Sequence, residues 1–276
     1  MKIDILLSTY NGAAFLEDLI QSLYGQTYTN WRLLIRDDGS SDSTMELIKS
    51  YQGKDKERIF IFDDNKKHLG PKKSFETLLY KSDADYMMFC DQDDYWLPDK
   101  IKSTLTKIKE LEQQHPGKPV LVFSDLKVTD RKLNIIHPSY WKYTKVNPEN
   151  VKNIYRLLVN NPVVGCTVMI NSKVKPLVLP IPEQAVMHDW WIALNVARKG
   201  VTGFLTKPSI LYRLHDENSI GASLSDKKYY VRRMLQFRQT ISQNREAIKM
   251  LRALDFPLSR MKFWRTKIAI TFSKLF

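Results

Sequence analysis

The chain has 276 residues, 43% hydrophobic and 11% aromatic, enough for one large domain with a proper core, or a domain with an appendage. Its net charge of +13 is unevenly spread: residues Lys227 to Phe276 hold thirteen Lys or Arg against Glu246 and Asp255, a net of +11, leaving +2 for the first 226 residues. The two cysteines, Cys90 and Cys166, lie in apolar runs without CxxC spacing, which argues against a disulfide scaffold or zinc site and suits a reduced, cytosolic protein. The opening run Ile3 to Leu7 is too short for a signal peptide, and no stretch approaches the ~20 apolar residues of a membrane span.

In chain order, Ile3 to Leu7 reads as a buried strand, followed by the turn Ser8-Thr9-Tyr10-Asn11-Gly12. Leu16, Leu19, Ile20 and Leu23 then recur at helical spacing. Residues 32–36 form a second strand that ends in Asp37-Asp38-Gly39-Ser40-Ser41-Asp42, with Asp42 expected to cap the next helix. Residues 59–62 read as the third strand, and a basic loop precedes a helix bearing Phe75, Leu78 and Leu79. The fourth apolar run, Tyr86 to Phe89, leads into Cys90-Asp91-Gln92-Asp93-Asp94-Tyr95-Trp96, and Pro98 opens a helix through Ile101, Leu105, Ile108 and Leu111. This alternation implies an α/β domain, a mostly parallel sheet covered on both faces. Beyond it we expect a strand at 120–123 ending in Ser124-Asp125, an irregular excursion at 126–147, and a helix from Pro148 to about Val159. A strand at 166–170, a helix from His188 to near Gly200 and a last strand at 209–212 follow.

No P-loop, GxGxxG, nucleophile elbow or HExxH occurs. What recurs is acid at strand ends: Asp37 and Asp38, then Asp91, Asp93 and Asp94, then Asp125. In open α/β sheets ligands bind beyond the carboxyl ends of the strands. Clustered carboxylates are costly without a cation, and carboxylate oxygens suit Mg2+ or Mn2+ bound together with substrate phosphates. A solvated acidic turn is the plain alternative, as helix capping is for Asp189.

Ser8-Thr9-Tyr10-Asn11, Asp37-Asp38-Gly39-Ser40-Ser41-Asp42, Asp91-Gln92-Asp93-Asp94 and His188-Asp189-Trp190-Trp191 come in this order over residues 1–220. Together they resemble the family-2 glycosyltransferases of the GT-A fold. The segment Tyr212 to Gly221 resembles the subgroup of bacterial rhamnosyltransferases and related capsule and cell-wall polysaccharide enzymes. The resemblance implies inverting transfer of a sugar from a nucleotide-sugar to an acceptor hydroxyl. It places Thr9, Tyr10, Asn11, Asp37, Asp38, Asp91 and Gln92 at the donor nucleotide, Asp93 on Mn2+ or Mg2+, and Asp189 as general base. The family often carries Glu where His188 stands. His215 is a candidate metal or diphosphate ligand. Trp96, His188, Trp190, Trp191 and Arg213 are candidates for the acceptor sugar, with at most two of the four aromatics Tyr95, Trp96, Trp190 and Trp191 facing it.

Residues 1–226 are therefore expected to form the catalytic domain and 227–276 a basic helical extension. In its last segment Met261, Trp264, Ile268, Phe272 and Leu275 fall near one helical face, flanked by Arg260, Lys262, Lys267 and Lys274. That pattern suits peripheral docking on an anionic membrane, the inner face of a bacterial cell membrane on this reading. Packing on the catalytic domain or a second copy is the alternative. Nucleic-acid binding would suit the charge, but no recognition motif accompanies it. A nucleotidyltransferase would usually show a glycine-rich basic loop near Ser8, and a non-catalytic sugar-binding module would have no use for Asp189 as a base. The expected acceptor is a lipid-linked or polysaccharide hydroxyl. dTDP-rhamnose is the expected donor and a UDP-hexose the alternative.

Overall fold

The first strand, β1 (Ile3–Thr9), has Ile3, Ile5, Leu6 and Leu7 completely buried. A continuous apolar run buried on both faces is the signature of a parallel strand covered by helices. The computed structural model describes residues 1–215, 248–250, 252–254, 256–257 and 259–275, and bears this out. β1 lies between β2 (Trp31–Asp37) and β4 (Tyr86–Asp91), parallel to both, with β3 (Ile59–Ile61) outside β2. Helix α1 (Ala13–Tyr24) buries Leu16, Leu19, Ile20 and Leu23, as its spacing predicts. With α2 (Thr44–Lys54) and α4 (Lys100–Gln114) it supplies the core of one face. Helix α3 (Gly70–Lys81) contributes Phe75, Leu78 and Leu79 to the other.

The second half completes a seven-stranded sheet with β6 (Val120–Ser124), β9 (Met169–Asn171) and β10 (Val201–Leu205), in the order β10-β6-β9-β4-β1-β2-β3. β9 runs antiparallel to both neighbours, β4 and β6. The residues just before β9 are thereby delivered to the carboxyl end of β4. A smaller sheet joins β5 (Tyr95–Trp96), β7 (Lys127–Thr129), β8 (Ile135–His137) and β11 (Ile210–Arg213), in the order β5-β11-β7-β8.

Several local expectations change. The excursion at 126–147 contains β7, β8 and a helical turn, α5 (Tyr140–Tyr143). The helix expected from Pro148 is a 3-10 turn followed by α6 (Ile154–Val159). Asn153 breaks it, accepting from the Tyr155 and Arg156 N–H groups at 3.0 and 3.2 Å. Residues 165–167 form a 3-10 turn rather than the start of a strand, because the Thr167 hydroxyl donates back to the Val164 carbonyl at 2.7 Å. Asp42 caps α2 as expected, from one residue before the boundary residue Ser43: its carboxylate accepts the Thr44 N–H at 3.0 Å and, across the turn, the Ala13 N–H. A short helix, α7 (Lys175–Val178), precedes α8 (His188–Lys199).

The described part of the basic extension lies on the body. Met250, Leu254 and Phe263 are buried in the same core as α6 and α8, and α9 (Arg260–Leu275) packs against α6. Among the described residues no helix is long and apolar enough to cross a membrane.

Candidate active site

Register brings the acidic residues together. Thr9 pairs with Asp37 across β1 and β2, and Ser8 with Asp91 across β1 and β4, so both strand-end acids stand at one edge of the sheet. The loops above are tied by side chains. Asp37 accepts from the Thr9 hydroxyl at 2.8 Å and from the Ser40 N–H and hydroxyl at 2.8 and 2.5 Å. Asn11, at φ 48°, accepts from the Ser41 N–H at 2.8 Å. Gln92 and the Tyr10 backbone exchange two hydrogen bonds, at 2.8 and 2.9 Å, which clamp the turn after β1 onto the acidic loop after β4. A Cβ at residue 12 would come within 2.2 Å of the Gln92 side-chain oxygen, so this approach requires Gly12.

Asp38 is 5% exposed and accepts from the Arg36 guanidinium at 2.8 Å and from the Leu69 and Gly70 N–H groups at 2.9 and 2.8 Å. Its carboxylate thus fastens the start of α3, and the loop before it, beside the turn after β1. There His68 meets the half-exposed Tyr10 edge-on, ring centres 5.7 Å apart.

The floor of the site is different. Asp91, Asp94 and Cys166 place ligand-type atoms within 4.8 Å of one another. Asp94 is fully buried, and neither of its oxygens has an N–H or O–H donor; the weakly donating Cys166 thiol is the group at hand. Burial, then the charges of Asp93 and Asp189, push Asp91 up to about 7. Burial, then the charges of Asp93 and Asp91, raise Asp94 well above the usual carboxylate range. Beneath them the fully buried Lys100 donates to the Cys166 carbonyl at 2.9 Å and stands 4.3 Å over the Trp96 ring. Burial lowers it to about 8, opposed by Cys166, Cys90 and Asp94. Lys100 escaped sequence reasoning because it sits at the start of an amphipathic helix, where a lysine reads as solvated. Ile101 and Thr104, both fully buried beside it on α4, were the signal.

Asp93 faces the other way. β11 runs antiparallel to β5, so the chain beyond Arg213 travels back along the acidic loop, and His215 Nε2 lies 2.7 Å from Asp93 Oδ2. Asp189 opens α8, with one oxygen receiving the Gly165 N–H at 3.0 Å and the other the Trp190 N–H at 2.6 Å. Burial pushes it up to about 6 despite those bonds. The 3-10 turn at 165–167 therefore touches both halves of the centre: Gly165 holds Asp189, and Cys166 stands beside Asp91 and Asp94.

Four of the expected acceptor residues are buried side chains in this structure. Trp96, 1% exposed, lies in the core under Lys100. Trp191, 6% exposed, donates its ring N–H to the Val178 carbonyl. His188 packs against Phe75 and Phe89 with neither nitrogen hydrogen-bonded, and burial lowers it to about 3. Arg213 is buried beneath the chain it braces, bound to Asp18 and the Arg131 carbonyl. Trp190 is half-buried, its N–H on the Leu157 carbonyl at 3.3 Å. Asp125 at the end of β6 is structural, joined to Ser139 and Leu126. Residues 216–221 of the motif after β11 lie outside the described residues, as do 227–247 of the extension.

A mostly parallel sheet covered on both faces, with acids gathered at its carboxyl mouth, is the α/β frame of the GT-A fold, whose ligands lie beyond the strand ends. Residues 4–175 match the family model described as Glycosyl transferase family 2, and the chain belongs to that family. It is 27% identical over 237 residues to a Shigella flexneri protein named dTDP-rhamnosyl transferase RfbG, covering 82% of this chain and 77% of that one. Among solved structures it resembles S. aureus TarS 1-349 in complex with UDP-GlcNAc, with a TM-score of 0.60 and 17% identity; the match covers 78% of this chain and 59% of that one. It also resembles the mannosyltransferase PcManGT from Pyrobaculum calidifontis in complex with GDP-Man and Mn2+. There the TM-score is 0.57 and the identity 12%, over 99% of this chain and 79% of that one.

Proposed function

We propose that this protein is an inverting, metal-dependent glycosyltransferase that moves a sugar from a nucleotide-sugar onto a hydroxyl of a lipid-linked or polysaccharide acceptor in bacterial surface polysaccharide synthesis. The observation that carries this reading is Asp189: a carboxylate held by two backbone N–H groups beside Asp91, within a family-2 chain. With its proton affinity raised to about 6, it is ionised at neutral pH yet basic enough to take the proton of an attacking hydroxyl. The donor nucleotide lies over Thr9, Tyr10 and Asn11, with Tyr10 and His68 as its exposed aromatic wall. Asp37 and Asp38 shape that pocket through the loops they hold. Gln92 fixes the wall to the floor.

The donor set fits a hard divalent cation. Two acids of raised proton affinity and the unsatisfied Asp94 oxygens are what a cation would relieve, and Asp93 with His215 offers an oxygen and a nitrogen at the rim. Asp93 and His215, with Asp91 behind them, would hold Mn2+ or Mg2+, which supplies charge neutralisation to the departing diphosphate. Half-buried Trp190, next to the base, and half-buried Tyr95 are the aromatics that remain for the acceptor. Rhamnose from dTDP-rhamnose is the favoured donor, supported by the similarity to RfbG. The basic extension, with its apolar stripe, holds the enzyme on the inner face of the membrane where a lipid-linked acceptor is found.

The test is a screen of dTDP-rhamnose, UDP-hexoses and GDP-mannose for Mn2+-dependent hydrolysis and transfer, with Asp93→Ala alongside. Asp93→Ala is expected to abolish transfer and the Mn2+-dependent stabilisation by nucleoside diphosphate. Full activity in EDTA, or in Asp93→Ala, refutes the metal reading.

A further inference from the structure

Lys100 opens α4 and is 1% exposed. An ammonium is badly placed there on two counts: burial strips its water, and the amino end of a helix is the positive pole of the backbone dipoles. The Cys166 carbonyl, 2.9 Å from Nζ, and the Trp96 ring, 4.3 Å away, answer part of that. Asp94 supplies opposite charge. Asp94 accounts for the charge of Lys100 but not for its hydrogen bond, which is given to the backbone of a different element.

That element is the 3-10 turn at 165–167. It is closed on itself: the Thr167 N–H and hydroxyl both donate to the Val164 carbonyl, at 2.9 and 2.7 Å, and the Val168 N–H donates to the Gly165 carbonyl at 3.0 Å. Its first residue gives an N–H to Asp189 at 3.0 Å, and its second accepts from Lys100. The two attachments thus lie on successive residues of one tight turn. Gly165 also approaches α8 closely; a Cβ there would stand 3.2 Å from His188 Nε2 and 3.4 Å from Asp189 Cβ. Close packing of this kind passes a small shift of the turn on to the Asp189 carboxylate.

We propose that Lys100 is a positioning residue for Asp189, holding through the Cys166 carbonyl the turn whose Gly165 N–H orients the carboxylate. The inference rests on the reading of Asp189 as the base and adds the means by which that base is aimed. Lys100 lies beneath the centre, so it acts through the turn and not on the reacting atoms. Without its ammonium the turn is unfastened on one side. Asp189 keeps its chemistry but loses its aim, and a misdirected base lowers turnover. The donor pocket, on the loops after β1 and β2, is left as it was.

The test has a substrate-free arm and a kinetic arm, both on the full-length protein. Selective 15N-glycine labelling gives ten glycines to follow. The Gly165 amide proton, held downfield by its bond to a carboxylate, should move upfield in Lys100→Met, while that of Gly53, exposed on α2, holds. Turnover is followed with Mn2+ and dTDP-rhamnose, or with the UDP-hexose or GDP-mannose that the screen above shows to be consumed. Lys100→Met should lower kcat by about tenfold or more, with the donor KM within about threefold of wild type. In the Asp189→Asn background, itself about 100-fold slower, the same substitution should cost less than about threefold more, because there is no base left to aim. Lys100→Gln, which keeps a polar end in the pocket, carries both arms if Lys100→Met does not fold, with the same directions expected. An unmoved Gly165 resonance, losses that multiply in the double variant, or a KM that rises as kcat falls overturns the role of Lys100 alone. Full turnover by Asp189→Asn defeats the base reading and the role of Lys100 with it.

Discussion

At the ends of β1 and β2 the polar side chains already have their partners. Asp37 accepts four hydrogen bonds, Asp38 three, and Gln92 both gives and receives. A few ångströms of chain away, at the end of β4, Asp94 has no N–H or O–H donor, and Asp91 and Asp189 hold their protons more tightly than free carboxylates do. The first region is stiff before a ligand arrives, so little ordering cost is left for binding. The second keeps its electrostatic strain for a ligand to relieve, and strained titratable groups mark chemistry. Substitutions at the rim should therefore act through shape and stability, and substitutions at the centre through turnover.

The largest effect is expected at Asp189, the proposed base. Asp189→Asn keeps the size but cannot take a proton, and should cut kcat by about 100-fold or more while donor affinity holds. On the proposed role Asp189 works ionised, so wild-type kcat should rise with pH through about 6 and then level. That acid limb should be missing from the residual activity of Asp189→Asn. A limb that survives the substitution belongs to another group and unseats Asp189. Next is the counter-charge. Lys100→Met strips the Cys166 carbonyl of its donor and leaves Asp94 without its buried cation, at a cost of about 3 kcal/mol in unfolding free energy. Adding Asp94→Asn should recover part of that in urea titrations; no recovery would mean the two groups are not coupled. Smallest is the rim. Asp38→Ala leaves two backbone N–H groups and a guanidinium short of a partner, worth about 2 kcal/mol. Hydrogen exchange at Leu69 and Gly70 should quicken; a kcat loss rivalling that of Asp189→Asn would erase the distinction between rim and centre.

Much of the donor half was legible in the chain, because four apolar runs each ended in a polar motif and parallel strands buried on both faces show no alternation to misread. The second half was less so for reasons of length. β9 has three residues, and the expected strand there began in what is a 3-10 turn. Val201–Leu205 was missed because Thr202 and Gly203 interrupt its apolar character, although Gly203 lies where a Cβ would meet Leu111 at 2.5 Å. Trp96, Trp191 and His188 read as sugar-facing because they flank the acids in sequence; whether an aromatic points outward or into a core depends on the opposite layer, which periodicity cannot reveal. His215 against Asp93 depended on the antiparallel register of two short strands 115 residues apart in the chain.

The reversed strand β9 also sets a schedule for synthesis. β4 is finished by residue 91, yet its second neighbour comes only with residues 169–171, and β6 waits for the same segment. Until then the emerging chain carries one open edge on β4 and two on β6, whose other partner β10 comes later still, the kind of edge that recruits foreign strands. Pairings so distant along the chain form slowly. Ribosome-bound chains halted after Ser124 should bind chaperone and yield to protease, whereas chains released past Leu205 should resist; equal resistance at both lengths would show that the first four strands close without their late partner. The centre that holds Asp91, Cys166 and Asp189 is thus among the last parts of the molecule to exist, and an interrupted product lacks Asp189 before it lacks the loops after β1 and β2.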